Sequence, residues 1–296
     1  MDCSVILLNY NTKDYLERCM RSVYRHTSAI SFDVWAVDNA SQDGSAAMVK
    51  EKFPQAHLIA NQENLFVAKG FNVGIRASSG RYVFIGDADL EFTDNFLAKM
   101  VEYMDKNPRV AVLGCPFYYP NGDFFSKCYS RDHSFLFSLL NFTFLGKFFR
   151  ETLRKLTYNF EYGEWDRKSS RAVEIVDTAV LFRREALDQA GLYDEKFYLY
   201  AIQNDICLRL RQYGWEIYYL YEGHLAHAQH QSINKANWKH ISTLYRKDMA
   251  HYFYKRFGWL ASMTIMLLLH ITRYLVYIAA ALGLFKPKKN IAFGTP

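Results

Sequence analysis

The sequence has few of the features that mark a secreted or disulfide-stabilised chain. Its five cysteines are an odd number, lie far apart and form no C-x-x-C pair. The opening stretch MDCSVILLNYN has no basic region, and its apolar run is shorter than a signal peptide needs. The sequence therefore predicts reduced thiols, a cytosolic compartment and a β-strand at the start of the chain.

Other features that the sequence lacks exclude some classes of binding partner. It contains no internal repeat, no low-complexity linker and no compact RNA- or DNA-binding motif, so we expect no nucleic-acid partner. What is present is a 296-residue chain that is 50% hydrophobic and 17% aromatic, with a formal net charge of +6. Such a chain can bury a large core without disulfides, and its basic excess suits a nucleotide or a phospholipid surface.

Short β-rich runs alternate with segments of helical spacing through residue 115. This rhythm predicts an α/β fold with a mostly parallel sheet flanked by helices, and Thr93 is the predicted cap of one of these helices. The polar loops Asn9–Thr12, Asp38–Gly44 and Asp87–Asp89 each follow a predicted strand. Ligands of such sheets bind beyond the carboxyl ends of the strands, so we expect these loops to line one crevice.

Two aspartates end the strand in RYVFIGDADLEF. Asp87 and Asp89 can bind a hard cation such as Mg²⁺ or Mn²⁺, which would neutralise a diphosphate. A solvated turn before the next helix is the alternative. Asp38 can accept a hydrogen bond from a pyrimidine base, the amides of Asn9 and Asn11 adjoin it, and each of these is also a common turn residue.

Longer stretches resemble a known family. VILLNYNTKDYLERCMRSV, VDNASQDGS, NLFVAKGFNVGIRASSGRYVF and GDADLEF resemble family 2 glycosyltransferases, which have the GT-A fold, a Rossmann-like nucleotide-binding architecture. GLYDEKFYLYAIQNDICLRLRQYGW and HLAHAQHQS resemble the bacterial rhamnosyltransferase-like branch, which builds surface polysaccharides. The resemblance implies an inverting, metal-dependent transfer of L-rhamnose from dTDP-L-rhamnose, or of a hexose from a UDP-hexose, onto a lipid-linked or glycan acceptor.

The resemblance also implies roles for particular residues. Asp205 matches the catalytic base, Asp38 the base-contacting aspartate, and Asp87 and Asp89 the D-x-D pair. The implied metal ligands are Asp87, Asp89 and His227, and the implied cofactor is Mg²⁺ or Mn²⁺. The residues expected to bind the nucleotide sugar are Asn9, Tyr10, Asn11, Asp38, Asn64, Lys69, Asn72, Asp87 and Asp89.

The chain departs from the family pattern in three places. Asp87 adds a carboxylate where the branch has Asn-Pro-Asp, and FVAKGFN is bulkier than the family's glycine-rich loop. Asn204 replaces the Glu of a Glu-Asp pair, so Asp205 would act alone. Asp205 could instead be a carboxylate favoured by the helix dipole, and the chain a degenerate GT-A module that only binds glycan. A sugar-nucleotide pyrophosphorylase is disfavoured because NYNTKDYL has no glycine.

The C-terminal part predicts a membrane contact. We expect a GT-A catalytic domain over 1–235 and a helical membrane-associating region over 236–296. The catalytic domain would consist of a nucleotide-sugar-binding half over 1–115, a lid or insertion over 116–171, and a half with the acceptor site and the catalytic base over 172–235. The segment Trp259–Phe285 is long enough to cross a bilayer, but His270 and Arg273 interrupt it and basic residues flank both ends. This favours a peripheral or monotopic helix on the cytoplasmic face of the cell membrane. A helix packed on the catalytic domain is the alternative, and segment 133–156 is either core or a lid.

Overall fold

The computed structural model describes residues 1–119, 121–125, 128–162, 170–176, 179–223, 225–227 and 238–282. The strands are β1 Cys3–Asn9, β2 Phe32–Asp38, β3 His57–Ala60, β4 Tyr82–Asp87, β5 Leu90–Phe92, β6 Val110–Gly114, β7 Phe117–Tyr118, β8 Phe124–Phe125, β9 Tyr129–Ser130, β10 Arg171–Val173, β11 Ile175–Val176, β12 Val180–Arg183, β13 Glu216–Tyr219 and β14 Leu225–His227. The helices are α1 Lys13–His26, α2 Ser45–Lys52, α3 Phe66–Ala77, α4 Phe96–Lys106, α5 Phe135–Phe142, α6 Glu151–Tyr162, α7 Arg184–Ala190, α8 Ile202–Gln212, α9 Trp238–Phe257 and α10 Trp259–Ala281, with a 3₁₀ helix at Phe144–Lys147.

Eight strands form the central sheet in the order β10-β13-β6-β12-β4-β1-β2-β3. β1 pairs in parallel with β2 and β4, β2 with β3, and β13 with β6, whereas β12 runs antiparallel to both of its neighbours. β1 is buried along its whole length, as expected for a strand covered by helices on both faces. The predicted α/β fold with a mostly parallel sheet is confirmed.

Helix α3 packs very closely on β1 through two glycines. A Cβ atom at Gly70 would lie 2.6 Å from Leu8 Cδ1, and one at Gly74 would lie 2.5 Å from Ile6 Cγ2. These contacts bring the start of α3 beside the carboxyl end of β1, where the polar loops are. Larger residues at Gly70 or Gly74 would push the helix away from this edge.

The predicted Thr93 cap is wrong, because α4 begins three residues later at Phe96. Asn95 occupies the N-cap position but makes no capping hydrogen bond. Its side chain instead accepts a hydrogen bond from Ser28 N at 3.1 Å and donates to Ser28 O at 3.2 Å. A contact with the loop after α1 therefore replaces the local cap.

The two C-terminal helices form a hairpin that joins the insertion. Ser262 Oγ in α10 donates to Ala250 O in α9 at 2.8 Å, and Thr272 Oγ1 accepts a hydrogen bond from Phe144 N at 2.8 Å. Asp132 lies 2.8 Å from Arg256 Nη2. The described parts of the insertion and of the C-terminal region therefore pack together. The domain boundaries stay a prediction, and residues 228–237 and 283–296 lie outside the described part of the chain.

The helices of the insertion and of the C-terminal region carry both buried and exposed apolar side chains. Phe137 and Leu140 of α5 are buried, whereas Phe148 and Leu156 are exposed, so segment 133–156 belongs partly to the core and partly to the surface. One described helix is long and apolar enough to cross a membrane, at Trp259–Ala279. Only a few of its side chains are buried, chiefly Ile265 and Leu269. Whether α10 serves for packing or for membrane contact stays a prediction.

Candidate active site

The carboxyl ends of β1 and β2 are tied together by Asn9 and Asp38, both of which are buried. Asn9 Nδ2 donates to Asp38 Oδ1 at 2.6 Å and lies 3.1 Å from Ser41 Oγ. Ser41 N donates to Asp38 Oδ2 at 3.0 Å. Among the described residues each carboxylate oxygen therefore has one side-chain or backbone donor, and it keeps acceptor capacity that a ligand N–H group can use.

The loops after these strands hold a strained backbone. Asn11 and Ala40 have φ values of 55° and 60°, a left-handed conformation that costs free energy in residues other than glycine. Asn11 Oδ1 accepts a hydrogen bond from Gln42 N at 2.8 Å, and Asn11 N donates to Ser41 Oγ at 2.8 Å. The strain is thus maintained by contacts between the two loops, and Tyr10 stands exposed beside them.

A chain of asparagines continues the same edge toward α3. Asn39 Nδ2 lies 3.3 Å from Asn64 Oδ1, and Asn61 Nδ2 donates to Asn39 Oδ1 at 2.9 Å. Asn64 Oδ1 also accepts a hydrogen bond from Phe66 N at 2.9 Å, at the start of α3. The structure therefore places the predicted site residue Asn64 next to Asn39 and Asn61, which the sequence analysis missed.

Two other predicted donor-binding residues lie on α3. Lys69 is exposed. Asn72 is buried, its Nδ2 donates to Tyr193 O at 2.8 Å and to Glu195 Oε1 at 3.0 Å, and its Oδ1 accepts from Tyr193 N at 3.0 Å. The Asn72 amide thus holds the loop at 193–195, and both its nitrogen and its oxygen are engaged there. That Asn72 contacts the donor stays a prediction.

Asp87, Asp89 and His227 form the one group of possible metal ligands found among the described residues. The ligand atoms that they offer all lie within 4.8 Å of one another. His227 Nε2 lies 3.1 Å from Asp89 Oδ1, because β14 pairs with β5 and sets His227 opposite Leu90. Two carboxylates and one imidazole are a donor set that fits a divalent cation.

Asp205 lies at the start of α8, and both of its carboxylate oxygens are engaged. Oδ2 is 2.9 Å from Arg209 Nε, and Oδ1 is 2.5 Å from Lys255 Nζ of α9. The side chain is buried. The structure therefore holds Asp205 in an ion-pair network, and its predicted role as catalytic base stays untested.

The same network continues to Asp194. Its Oδ2 lies 2.9 Å from Lys255 Nζ and 2.8 Å from His251 Nε2. Burial opposes ionisation of this carboxyl group, but the hydrogen bonds from His251 and Lys255 prevail and hold the pKa of Asp194 well below its ordinary value of 3.8. Helix α9 is therefore fixed by charge to the segment that leads into α8.

A second set of contacts joins α9 to the segment before α8 through Asp248 of α9, which is fully buried. Its carboxylate accepts hydrogen bonds from the backbone N–H groups of Tyr198 at 2.8 Å, Leu199 at 2.9 Å and Tyr200 at 2.9 Å. Burial raises the pKa of Asp248 although these three donors favour its charged form. The sequence alone does not predict a role for Asp248, because nothing in its neighbourhood along the chain indicates a contact with residues 198–200.

Sequence comparison places the chain among known transferases. A profile described as Glycosyl transferase family 2 matches residues 4–191. The N-acetylglucosaminyl-diphospho-decaprenol L-rhamnosyltransferase of Mycobacterium tuberculosis is 22% identical over 267 residues, which cover 86% of this chain and 85% of that protein. The uncharacterized glycosyltransferase YfnE of Bacillus subtilis is 25% identical, with coverage of 72% of this chain and 61% of that protein.

Structural comparison agrees. The mannosyltransferase PcManGT of Pyrobaculum calidifontis, in complex with GDP-Man and Mn²⁺, matches with a TM-score of 0.57 and 17% identity, covering 97% of this chain and 81% of that one. GalNAc-T7 with UDP, GalNAc and Mn²⁺ matches with a TM-score of 0.58 and 14% identity, covering 83% of this chain and 47% of that one. At these identities the likeness establishes the fold alone, which is the expected GT-A fold.

Proposed function

Because this chain belongs to glycosyltransferase family 2, we propose that it transfers a sugar from a nucleoside-diphosphate donor in the presence of a divalent cation. The cluster of Asp87, Asp89 and His227 carries this proposal. A cation there would neutralise the charge that grows on the leaving diphosphate. The imidazole nitrogen of His227 favours Mn²⁺ over Mg²⁺, since Mg²⁺ takes oxygen ligands.

The loops after β1 and β2 would hold the nucleoside. Asp38 can accept an N–H group of a pyrimidine base, since each of its oxygens has one protein partner. Tyr10 offers an exposed ring beside the base, and Asn11, Asn64 and Lys69 supply further polar contacts to the donor. We propose dTDP-L-rhamnose as this donor, on the support of the mycobacterial relative named as an L-rhamnosyltransferase. A UDP-hexose is the alternative.

For the proton transfer we propose Asp205 as the base of an inverting reaction. The acceptor hydroxyl would give its proton to a carboxylate oxygen while its own oxygen attacks the anomeric carbon opposite the diphosphate. Oδ1 becomes available for this step when Lys255 moves away from its 2.5 Å contact with that oxygen. Oδ2 stays bound to Arg209, because the carbonyls of Gly191 and Leu192 also hold the Arg209 side chain in place. Lys255 would then control access to the base.

For the acceptor we propose a lipid-linked glycan at the cytoplasmic face of the cell membrane. The M. tuberculosis relative is named for a decaprenol-linked acceptor. The α9–α10 hairpin contacts the segment that leads into Asp205, and α10 exposes Leu260, Met263 and Leu267. An apolar helix in the membrane interface would hold the crevice close to such an acceptor.

The experiment is a product assay with purified full-length protein. The protein is incubated with dTDP-L-rhamnose or UDP-glucose, with Mn²⁺, Mg²⁺ or a chelator, and with a prenyl-diphosphate-linked N-acetylglucosamine as acceptor. We expect Mn²⁺-dependent release of dTDP together with a glycosylated lipid. Donor binding that requires metal but never gives product would instead identify a degenerate binding module.

A further inference from the structure

Arg246 of α9 is a buried arginine without a carboxylate partner in the part of the chain that the structure describes. Its side chain is 7% exposed. Nη1 donates to no acceptor among the described residues, and Nη2 has only a 3.3 Å contact with Thr243 Oγ1. Buried arginines are ordinarily paired with an acid, so this guanidinium has unused capacity for hydrogen bonds to an anion.

The C-terminal sequence explains why no acid reaches Arg246 from its own hairpin. After Glu222, Asp248 is the only acidic residue of the chain. Its carboxylate is already occupied by the three backbone N–H groups of residues 198–200. The basic residues of the same region are Lys235, Lys239, Arg246, Lys247, Lys255, Arg256, Arg273, Lys286, Lys288 and Lys289.

A second arginine comes from the facing helix. Arg273 of α10 is half-buried and donates to Tyr277 Oη, at 3.1 Å from Nη2. Burial, and then repulsion from Arg273, lower the pKa of Arg246 from its ordinary value. Arg273 therefore adds a second positive charge to the α9–α10 hairpin, and a buried guanidinium without an acid destabilises the fold unless an anion joins it.

We propose that Arg246 and Arg273 bind the phosphate or diphosphate head of an amphiphilic ligand whose hydrocarbon chain lies along α10. Guanidinium groups match phosphate oxygens with two parallel hydrogen bonds. The exposed side chains of Leu267, Tyr274 and Ile278 on α10 offer apolar surface for the chain. The head group belongs either to an anionic phospholipid or to a prenyl diphosphate, and both present the same chemistry. This site is separate from Asp87 and Asp89, and its test requires no sugar transfer.

The first test is thermal unfolding of the full-length protein with geranyl diphosphate, with a chelator present so that no metal supports binding at the crevice. We compare the wild type with Arg246→Gln and Arg273→Gln. Arg109→Gln is the control, because Arg109 precedes β6 and its side chain is 83% exposed. We expect a ligand-dependent rise in Tm for the wild type and the control, with an affinity about tenfold or more weaker in Arg246→Gln.

The second test separates the two sources of the phosphate. Sedimentation of the protein is measured with vesicles of phosphatidylcholine alone and with vesicles that contain equal amounts of phosphatidylcholine and phosphatidylglycerol. A loss of phosphatidylglycerol binding in Arg246→Gln identifies a phospholipid head group, and an effect confined to geranyl diphosphate identifies a prenyl diphosphate. Either result supports the site. Equal binding of both probes by wild type and Arg246→Gln would overturn it.

The melting temperature without ligand shows whether a variant binds poorly only because it is misfolded. If the charge of Arg246 is unpaired, Arg246→Met should fold and melt at or above the wild-type temperature, because it removes a buried charge and keeps the apolar stem. A clear loss of stability in Arg246→Met, with unchanged ligand binding in Arg273→Gln, would show that Arg246 has a structural partner and would contradict the proposal.

Discussion

Asp205 and Lys255 form the contact on which the proposed proton transfer depends. Their 2.5 Å ion pair joins α8 to α9, and Arg209 holds the other oxygen of Asp205. A base must offer an oxygen to the acceptor hydroxyl, whereas a structural carboxylate only has to keep its cations in place. Substitutions on the two sides of this ion pair separate the two roles.

We predict that Asp205→Asn lowers the turnover rate by about a hundredfold or more, the scale expected for loss of a general base. Donor and metal affinity should change little at a temperature where the variant is folded. Lys255→Gln is the contrasting variant: it breaks the ion pairs of Lys255 with Asp205 and Asp194 but keeps the Asp205 carboxylate, so turnover should persist. Steady-state kinetics with direct donor-binding measurements check this. If both variants lose turnover and stability equally, Asp205 is a positioning residue and the base lies elsewhere.

At the residue scale, the sequence predicts side chains that follow strand ends and misses those that act through tertiary contacts. Asp87 and Asp89 follow an apolar strand, so their place at the edge of the sheet can be read directly. Asn39 and Asn61 look like ordinary turn residues, and their hydrogen bond appears only when β2 and β3 pair. The ion pair from Asp205 to Lys255 spans fifty residues of chain and leaves no local pattern.

Helix α9 is the element that fixes the segment before α8, through its buried Asp248. We predict that Asp248→Ala lowers the free energy of unfolding by on the order of 2–3 kcal/mol, because three backbone N–H groups lose their acceptor. Lys50→Ala, at an exposed position of α2, is the control. Chemical denaturation measures the difference. If Asp248→Ala lowers the free energy of unfolding no more than Lys50→Ala does, residues 198–200 hold their conformation without α9.

The contact between Asp194 and its two basic partners gives a pH dependence. Because the folded-state pKa of Asp194 is lower than the unfolded value, its contribution to stability is fully present above pH 3.8 and is lost as the pH falls through the folded pKa. We therefore predict that wild type exceeds Asp194→Asn in stability near pH 5 and that the gap narrows below pH 3.8. Equilibrium unfolding at stepped pH checks this, and a constant gap would contradict it.

At the element scale, strand and helix types follow from periodicity, but their ends do not. The apolar positions Leu16, Met20 and Val23 predict α1 correctly, because one face of a helix repeats at that spacing. The cap at Thr93 fails because Asn95 binds Ser28 across the fold. His227 comes beside Asp89 only through the pairing of β14 with β5, which no spacing along the chain reveals.

The whole molecule presents an apolar helix next to basic residues, which suits an anionic membrane surface. We predict that the combined variant Leu260→Glu, Met263→Glu and Leu267→Glu stops binding to phosphatidylglycerol vesicles while its melting temperature stays near the wild-type value, since all three side chains are exposed. Ile265→Glu is the contrasting control, because Ile265 is buried and its substitution should unfold the hairpin.

Deleting the residues after Gly258 should likewise release the protein into the soluble fraction. Transfer to a short, water-soluble acceptor should survive, although the face of α9 that α10 covers becomes exposed. A full-length protein that stays in solution without detergent and ignores anionic vesicles would show that α10 serves only for packing within the fold.

We propose above that Asp87, Asp89 and His227 hold a cation that binds the donor diphosphate. Isothermal titration of dTDP into the full-length protein with Mn²⁺, and again with a chelator, tests it most directly. We predict Mn²⁺-dependent binding in the wild type and in the exposed-site control Glu91→Gln, and its loss in Asp89→Ala. Binding of equal strength in the chelator, or unchanged binding in Asp89→Ala, would contradict the account.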